Sequence, residues 1–195
     1  MMCNETQMAR NYTLKRRAES QAETRKRIVE AAVDLHSSIG PANTTVSMIA
    51  ERAGVQRHTL YKHFPDEQAM AMACSGFSFE RDPPPDGSAW RTLAKPGGRL
   101  RAALAEIYAY YARNESLLAC VLRDAEHHAL TRDIVALRFG PVIGAWRDVL
   151  GAGLNEKQRA LLALALSFHT WRTLAREAGL KADDAVAMMA KAVIA

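Results

Sequence analysis

The densest chemistry in the sequence lies in Gln56-Arg57-His58-Thr59-Leu60-Tyr61-Lys62-His63. An arginine guanidinium donates two parallel hydrogen bonds to a guanine edge, and a glutamine amide both donates to and accepts from adenine. Gln56, Arg57 and His58 therefore carry the groups that read base edges. Thr45, Tyr61, Lys62 and His63 offer hydroxyl, ammonium and imidazole donors suited to phosphate oxygens. Such groups act together only if one element presents them outward while its other side is buried.

The flanking residues supply that arrangement. Thr44 or Thr45 caps a short helix whose inner face is Val46, Ile49, Ala50 and Ala53. Ala53-Gly54-Val55 forms a tight turn, and a further helix begins near Gln56 with Leu60 and Phe64 at i, i+4. Upstream, Ser20 and Glu23 have capping-box spacing, and Ile28, Ala32, Leu35 and Ile39 form an apolar stripe that Gly40-Pro41 ends. Three helices so placed present the third outward, sized for a DNA major groove.

Ala and Leu abound, sustained β-branched alternation is absent, and an all-α fold is expected. The formal net charge is +5 and the pI about 9.3, a balance that permits nucleic-acid binding without proving it. Residues 1–19, with Arg10, Lys15, Arg16 and Arg17, read as a loose basic arm that either tracks DNA or is simply solvated. Cys3, Cys74 and Cys120 match no zinc spacing, and an odd number is no disulfide framework, so reduced thiols are expected. No apolar run suits a membrane span or a signal peptide, and a cytoplasmic location follows as an expectation.

Behind Pro65, Asp66 starts a fourth helix over about 67–79. The prolines of Asp82-Pro83-Pro84-Pro85 open a long loop that runs through Lys95-Pro96-Gly97-Gly98. Helices are then expected over 99–113, 115–128, 132–150 (kinked or broken at Gly140-Pro141), 156–178 and 182–193, with Asn155 and Gln158 as a capping pair. Tyr108, Tyr111, Leu122, Trp146, Phe168 and Trp171 either line an effector cavity or pack in the core. Leu161, Leu162, Leu164 and Leu166 cover several sides of one helix, which is expected to be buried all round. Asp124 and His128 stand at i, i+4, but two ligands are too few for a metal site. Glu126 and His169 are alternative polar anchors for an effector. No P-loop, dinucleotide fingerprint or nucleophile elbow is present, so no catalytic residue and no cofactor is expected. A non-specific architectural DNA binder would not need so large an apolar second half.

The run from Thr45 to Phe64 resembles the DNA-binding signature of the TetR family of regulators. Ile49-Ala50, Ala53-Gly54-Val55 and Thr59-Leu60-Tyr61-Lys62-His63-Phe64 match best, and Pro65-Asp66-Glu67-Gln68-Ala69-Met70 is similar to the family's lead into its fourth helix. Gln56 departs from the Ser or Thr that many members use as the helix cap. The resemblance implies a helix-turn-helix DNA-binding domain over 20–65, with Thr45, Gln56, Arg57, His58, Thr59, Tyr61, Lys62 and His63 facing DNA. It implies a helical effector-binding and dimerisation domain over 66–195. It further implies a homodimer paired through its last two long helices, a palindromic operator in double-stranded DNA, and release of that DNA by a small molecule.

Overall fold

The computed structural model describes residues 3–195, with side chains at Tyr12 and from Leu14 onward. Among the described residues there are ten α-helices and no strand: α1 (Cys3–Ser38), α2 (Val46–Arg52), α3 (Arg57–His63), α4 (Glu67–Arg81), α5 (Pro96–Arg113), α6 (Glu115–Ala125), α7 (Ala129–Leu150), α8 (Glu156–Ala165), α9 (Phe168–Arg172) and α10 (Ala182–Ile194).

The loose arm expected over residues 1–19 is corrected from Cys3 onward; Met1 and Met2 lie outside the described residues. There the chain is the first half of α1. The stretch Cys3–Ser38 contains neither Gly nor Pro and is rich in Ala, Arg and Glu, so nothing in it interrupts helix propagation. Ser20 is accordingly a mid-helix residue, and its carbonyl accepts from the Thr24 hydroxyl at 2.8 Å.

Two apolar cores divide the molecule. The first joins Ile28, Ala32 and Val33 of α1 to Ile49 and Ala50 of α2, Leu60 of α3, Phe64, and Met70 and Cys74 of α4. The second gathers α5 to α10 around Leu104, Ile107, Trp146, Phe168, Trp171 and Val193. Helix α4 enters the first core at its N-terminal end and packs on α7 further along.

Three local corrections have physical causes. Pro96 starts α5 from its first position, where a missing N–H costs nothing, so the loop ends at Lys95. Helix α7 runs unbroken through Pro141. Pro141 and Leu137, whose carbonyl loses its helical donor, are both exposed, so water can replace that bond. The single helix expected over 156–178 is instead broken at Leu166-Ser167. There the Ala165 and Leu166 carbonyls accept from the Tyr108 hydroxyl (3.0 Å) and the Tyr111 hydroxyl (2.7 Å), and the Ser167 hydroxyl caps α9.

Candidate nucleic-acid interface and effector cavity

Helix α2 starts where the Thr45 hydroxyl accepts from the Met48 N–H at 3.3 Å. That bond uses an oxygen lone pair and leaves the hydroxyl proton free to donate. The turn into α3 depends on Gly54 at φ +64°, with the Val55 N–H returning to the Ala50 carbonyl at 2.9 Å. A Cβ at Gly54 would touch nothing, so the backbone angle rather than crowding requires glycine there. Gln56 is the N-cap of α3 but makes no side-chain cap bond, so its amide is uncommitted.

On α3 the residues separate by side. Leu60 is buried, and Phe64 beyond it is only 1% exposed. Gln56, Arg57, His58, Tyr61 and Lys62 are exposed, as is Thr45 on α2, while Thr59 and His63 are half-buried at the flank. Seven of the eight residues singled out for DNA thus sit on α3 or at its cap, and Thr45 caps the helix before it. Residues 53–65 contain no carboxylate, so the face is positive or neutral throughout. The Arg25 guanidinium lies over the Phe64 ring at 4.7 Å and ties α1 to the end of α3. Arg52 pairs with Asp34 at 3.1 Å, an exposed contact worth at most ~1 kcal/mol.

The six residues considered for an effector lie apart from the apolar cavity between α4 and α7. Tyr108, Tyr111, Phe168 and Trp171 form one aromatic cluster, with Tyr111 5.6 Å from Phe168 and Phe168 5.4 Å from Trp171 between ring centres. Burial raises the Tyr108 and Tyr111 hydroxyls well above the usual phenol range. Trp146 packs on Trp90 and donates to the Pro85 carbonyl at 2.6 Å, which holds the proline-rich loop down. Leu122 is half-buried against the same core. Glu126 and His169 are exposed. Leu164 is exposed too, so α8 is not buried all round in the single chain.

The cavity, of about 90 Å³, opens between α1, α4, α5, α6 and α7. Its walls include Val33 and His36 (α1), Ser75, Ser78 and Phe79 (α4), Tyr110 (α5), Leu117 and Val121 (α6), and Ile134, Arg138 and Phe139 (α7). Phe79 and Phe139 meet edge to face at 5.0 Å. Sequence reasoning passed over Tyr110, though helical spacing turns it about 200° from Tyr108 and so toward a different wall. The other lining residues are scattered along the chain and carry no local signal.

His36 lines the cavity from α1. Burial pushes its imidazole down to about 4, against the pull of the Asp124 carboxylate. The folded protein keeps it neutral while the unfolded chain protonates it near its ordinary 6.5. Stability from this group is fully present above 6.5 and is lost as pH falls toward about 4. The loss should reach about 2–3 kcal/mol. Urea unfolding compared at neutral and mildly acidic pH checks this, and His36→Gln should flatten the dependence.

Asp124 is fully buried. It accepts from the Ala42 N–H (2.9 Å) and from Arg123 Nε (2.8 Å), while Arg123 Nη2 donates to the Ile39 carbonyl at 2.9 Å. This clasp fastens the end of α6 to the turn after α1. The Asp124 carboxylate thus makes no bond to His128, whose Nδ1 instead bonds the Thr131 hydroxyl at 2.7 Å. Among the described residues no three His, Cys, Asp or Glu side chains gather to hold a metal. Cys74 and Cys120 are buried and unpaired, and burial raises the Cys74 thiol to about 12, which leaves little thiolate. No helix among the described residues is long and apolar enough to cross a membrane.

The chain is all-helical among the described residues, with a helix-turn-helix at its front, the arrangement in which a second helix can lie in a DNA major groove, and a larger helical part behind it. The family profile described as "Bacterial regulatory proteins, tetR family" matches residues 28–74, the segment that holds α2 and α3. The HTH-type transcriptional repressor KstR of Mycolicibacterium smegmatis is 38% identical over 64 residues, which span 33% of this chain and 31% of that protein. Among solved structures, the fatty acid degradation regulator FadR from Bacillus halodurans matches with a TM-score of 0.65 at 15% identity, covering 88% of this chain and 94% of that one. A TetR-like transcriptional regulator from Rhodococcus sp. RHA1 matches with a TM-score of 0.63 at 18% identity, covering 88% and 93%. At such identities these two likenesses concern the fold.

Proposed function

We propose that the chain is a homodimeric transcriptional repressor that binds a palindromic operator through α3 and is released by a small molecule. The carrying observation is the acid-free outer face of α3, with Gln56, Arg57, His58, Tyr61 and Lys62 exposed over the buried Leu60. Gln56, Arg57 and His58 read bases; Thr45, Thr59, Tyr61, Lys62 and His63 hold phosphates and the edge of the groove. Residues 20–65 form the reading unit and 66–195 the sensing and pairing unit. The repressor sense follows KstR, the relative named above. The protein acts in the cytoplasm on double-stranded DNA and performs no catalysis.

Pairing of two copies uses α8 and α10, which leave Leu164, Met188 and Ile194 exposed. Two-fold pairing sets the reading helices about one DNA turn apart, ~34 Å, or a multiple of it. The effector occupies the cavity between α4 and α7.

Mobility shifts with the chain's own promoter DNA test the reading. Arg57→Ala should cost ~1–3 kcal/mol on that DNA and relax base preference. Lys62→Ala should weaken all sequences alike and shallow the salt slope by about one unit. Equal affinity of the unaltered protein for its promoter and for random duplex would overturn the proposal.

A further inference from the structure

Arg138 brings the only formal charge to the cavity lining, which contains no Asp or Glu. It is half-buried on α7, and its Nε donates to the Ser75 hydroxyl at 3.1 Å while Nη2 donates to the Met72 carbonyl at 3.2 Å. Both partners are neutral and both belong to α4. The ion pairs formed among the described residues do not include Arg138. A guanidinium held against an apolar wall by neutral acceptors alone lacks the counter-charge that usually accompanies burial. Its planar fork suits a carboxylate, which would take two parallel charge-assisted bonds. The opposite walls are hydrocarbon and aromatic, Leu117, Val121 and Ile134 among them.

We propose that the effector is an apolar monocarboxylate whose carboxylate takes Arg138 from its α4 partners while its hydrocarbon part fills the space beside Phe79 and Phe139. This rests on the reading of the cavity as the effector site. Size supplies the coupling. The cavity holds about 90 Å³, against the ~150 Å³ that accommodates benzene in an engineered apolar cavity. A bound hydrocarbon chain must therefore spread the walls. The bonds that resist spreading of α4 from α7 at Ser75 and Met72 are the ones the carboxylate replaces. Helix α4 begins at Glu67, three residues after Phe64, so its displacement is passed directly to the reading helix.

Decanoate, with decanol as the uncharged control, tests this on the full chain by calorimetric titration and by release of promoter DNA. Decanoate should bind at least ~10-fold more tightly than decanol, the worth of a charge-assisted bond. Arg138→Gln should remove that preference and leave decanol binding unchanged; Arg138→Lys should retain part of it, and thermal melting confirms that each variant folds. Equal binding of the two compounds to the unaltered protein overturns the Arg138 assignment and leaves the cavity reading standing. A cavity-filling Val121→Trp variant separates the remaining outcomes. If neither compound binds and Val121→Trp weakens DNA binding, the carboxylate proposal alone fails. If neither compound binds and Val121→Trp binds DNA normally, the cavity reading fails with it.

Discussion

Gly40→Ala is expected to lower the unfolding free energy by about 4 kcal/mol, measured as a lower urea midpoint at unchanged slope. Two causes add. Gly40 sits at φ +93° and ψ 156°, a conformation that costs any residue with a Cβ about 1–3 kcal/mol. The new methyl would also collide with the Asp124 carboxylate and the Arg123 guanidinium. Those groups form the clasp between the α1 turn and α6, and forcing extra volume into a packed site costs a further ~1–3 kcal/mol. In an Asp124→Ala background the collision with the carboxylate disappears and Arg123 loses the partner that holds it in place, so Gly40→Ala should cost less there by a measurable coupling energy. A loss below about 1 kcal/mol in the unaltered background would mean the clasp yields freely.

Phe64→Ala is expected to cost ~3–5 kcal/mol, as for other buried aromatic truncations. Phe64 is 1% exposed, closes the first core against Ile28 and Leu60, and carries the Arg25 guanidinium on its ring at 4.7 Å. The affected element is α3, seven residues long, which has no stability of its own and relies on Leu60 and Phe64 for its seating. DNA binding should therefore be lost at temperatures where α5 to α10 remain folded. Phe64→Leu should cost less, since most of the buried volume is kept. Retention of promoter binding by Phe64→Ala would show that α3 is positioned by other contacts.

What the sequence disclosed depended on the range of the interactions concerned. Thr45, Asp66, and Asn155 with Gln158 act within one helical turn, and each was legible as a cap; the structure makes all of these bonds. The turn at Gly54 and the buried positions of Ile49, Leu60 and Phe64 followed from spacing alone. The break at Leu166-Ser167 was not legible, because its cause is a pair of tyrosine hydroxyls arriving from α5, with Tyr108 lying 57 residues before Ala165. The cavity is less local still. Val33, Tyr110 and Ile134 come from three distant helices, and no short pattern joins them. For the same reason Tyr108 and Trp171, conspicuous as aromatics, belong to the packed core, while Arg138, unremarkable in its run, faces the cavity.

Helix α4 has a geometric consequence of its own. Its 15 residues make a rod of about 22 Å at ~1.5 Å per residue, capped at the α3 end by Asp66 and reaching the cavity at Ser75 and Phe79. A tilt of only ~10° about one end carries the other by about 4 Å, comparable with the rise of one base pair. In the proposed symmetric pair the two rods would swing together, so a movement too small to disturb either core would be doubled in the gap between the two α3 helices.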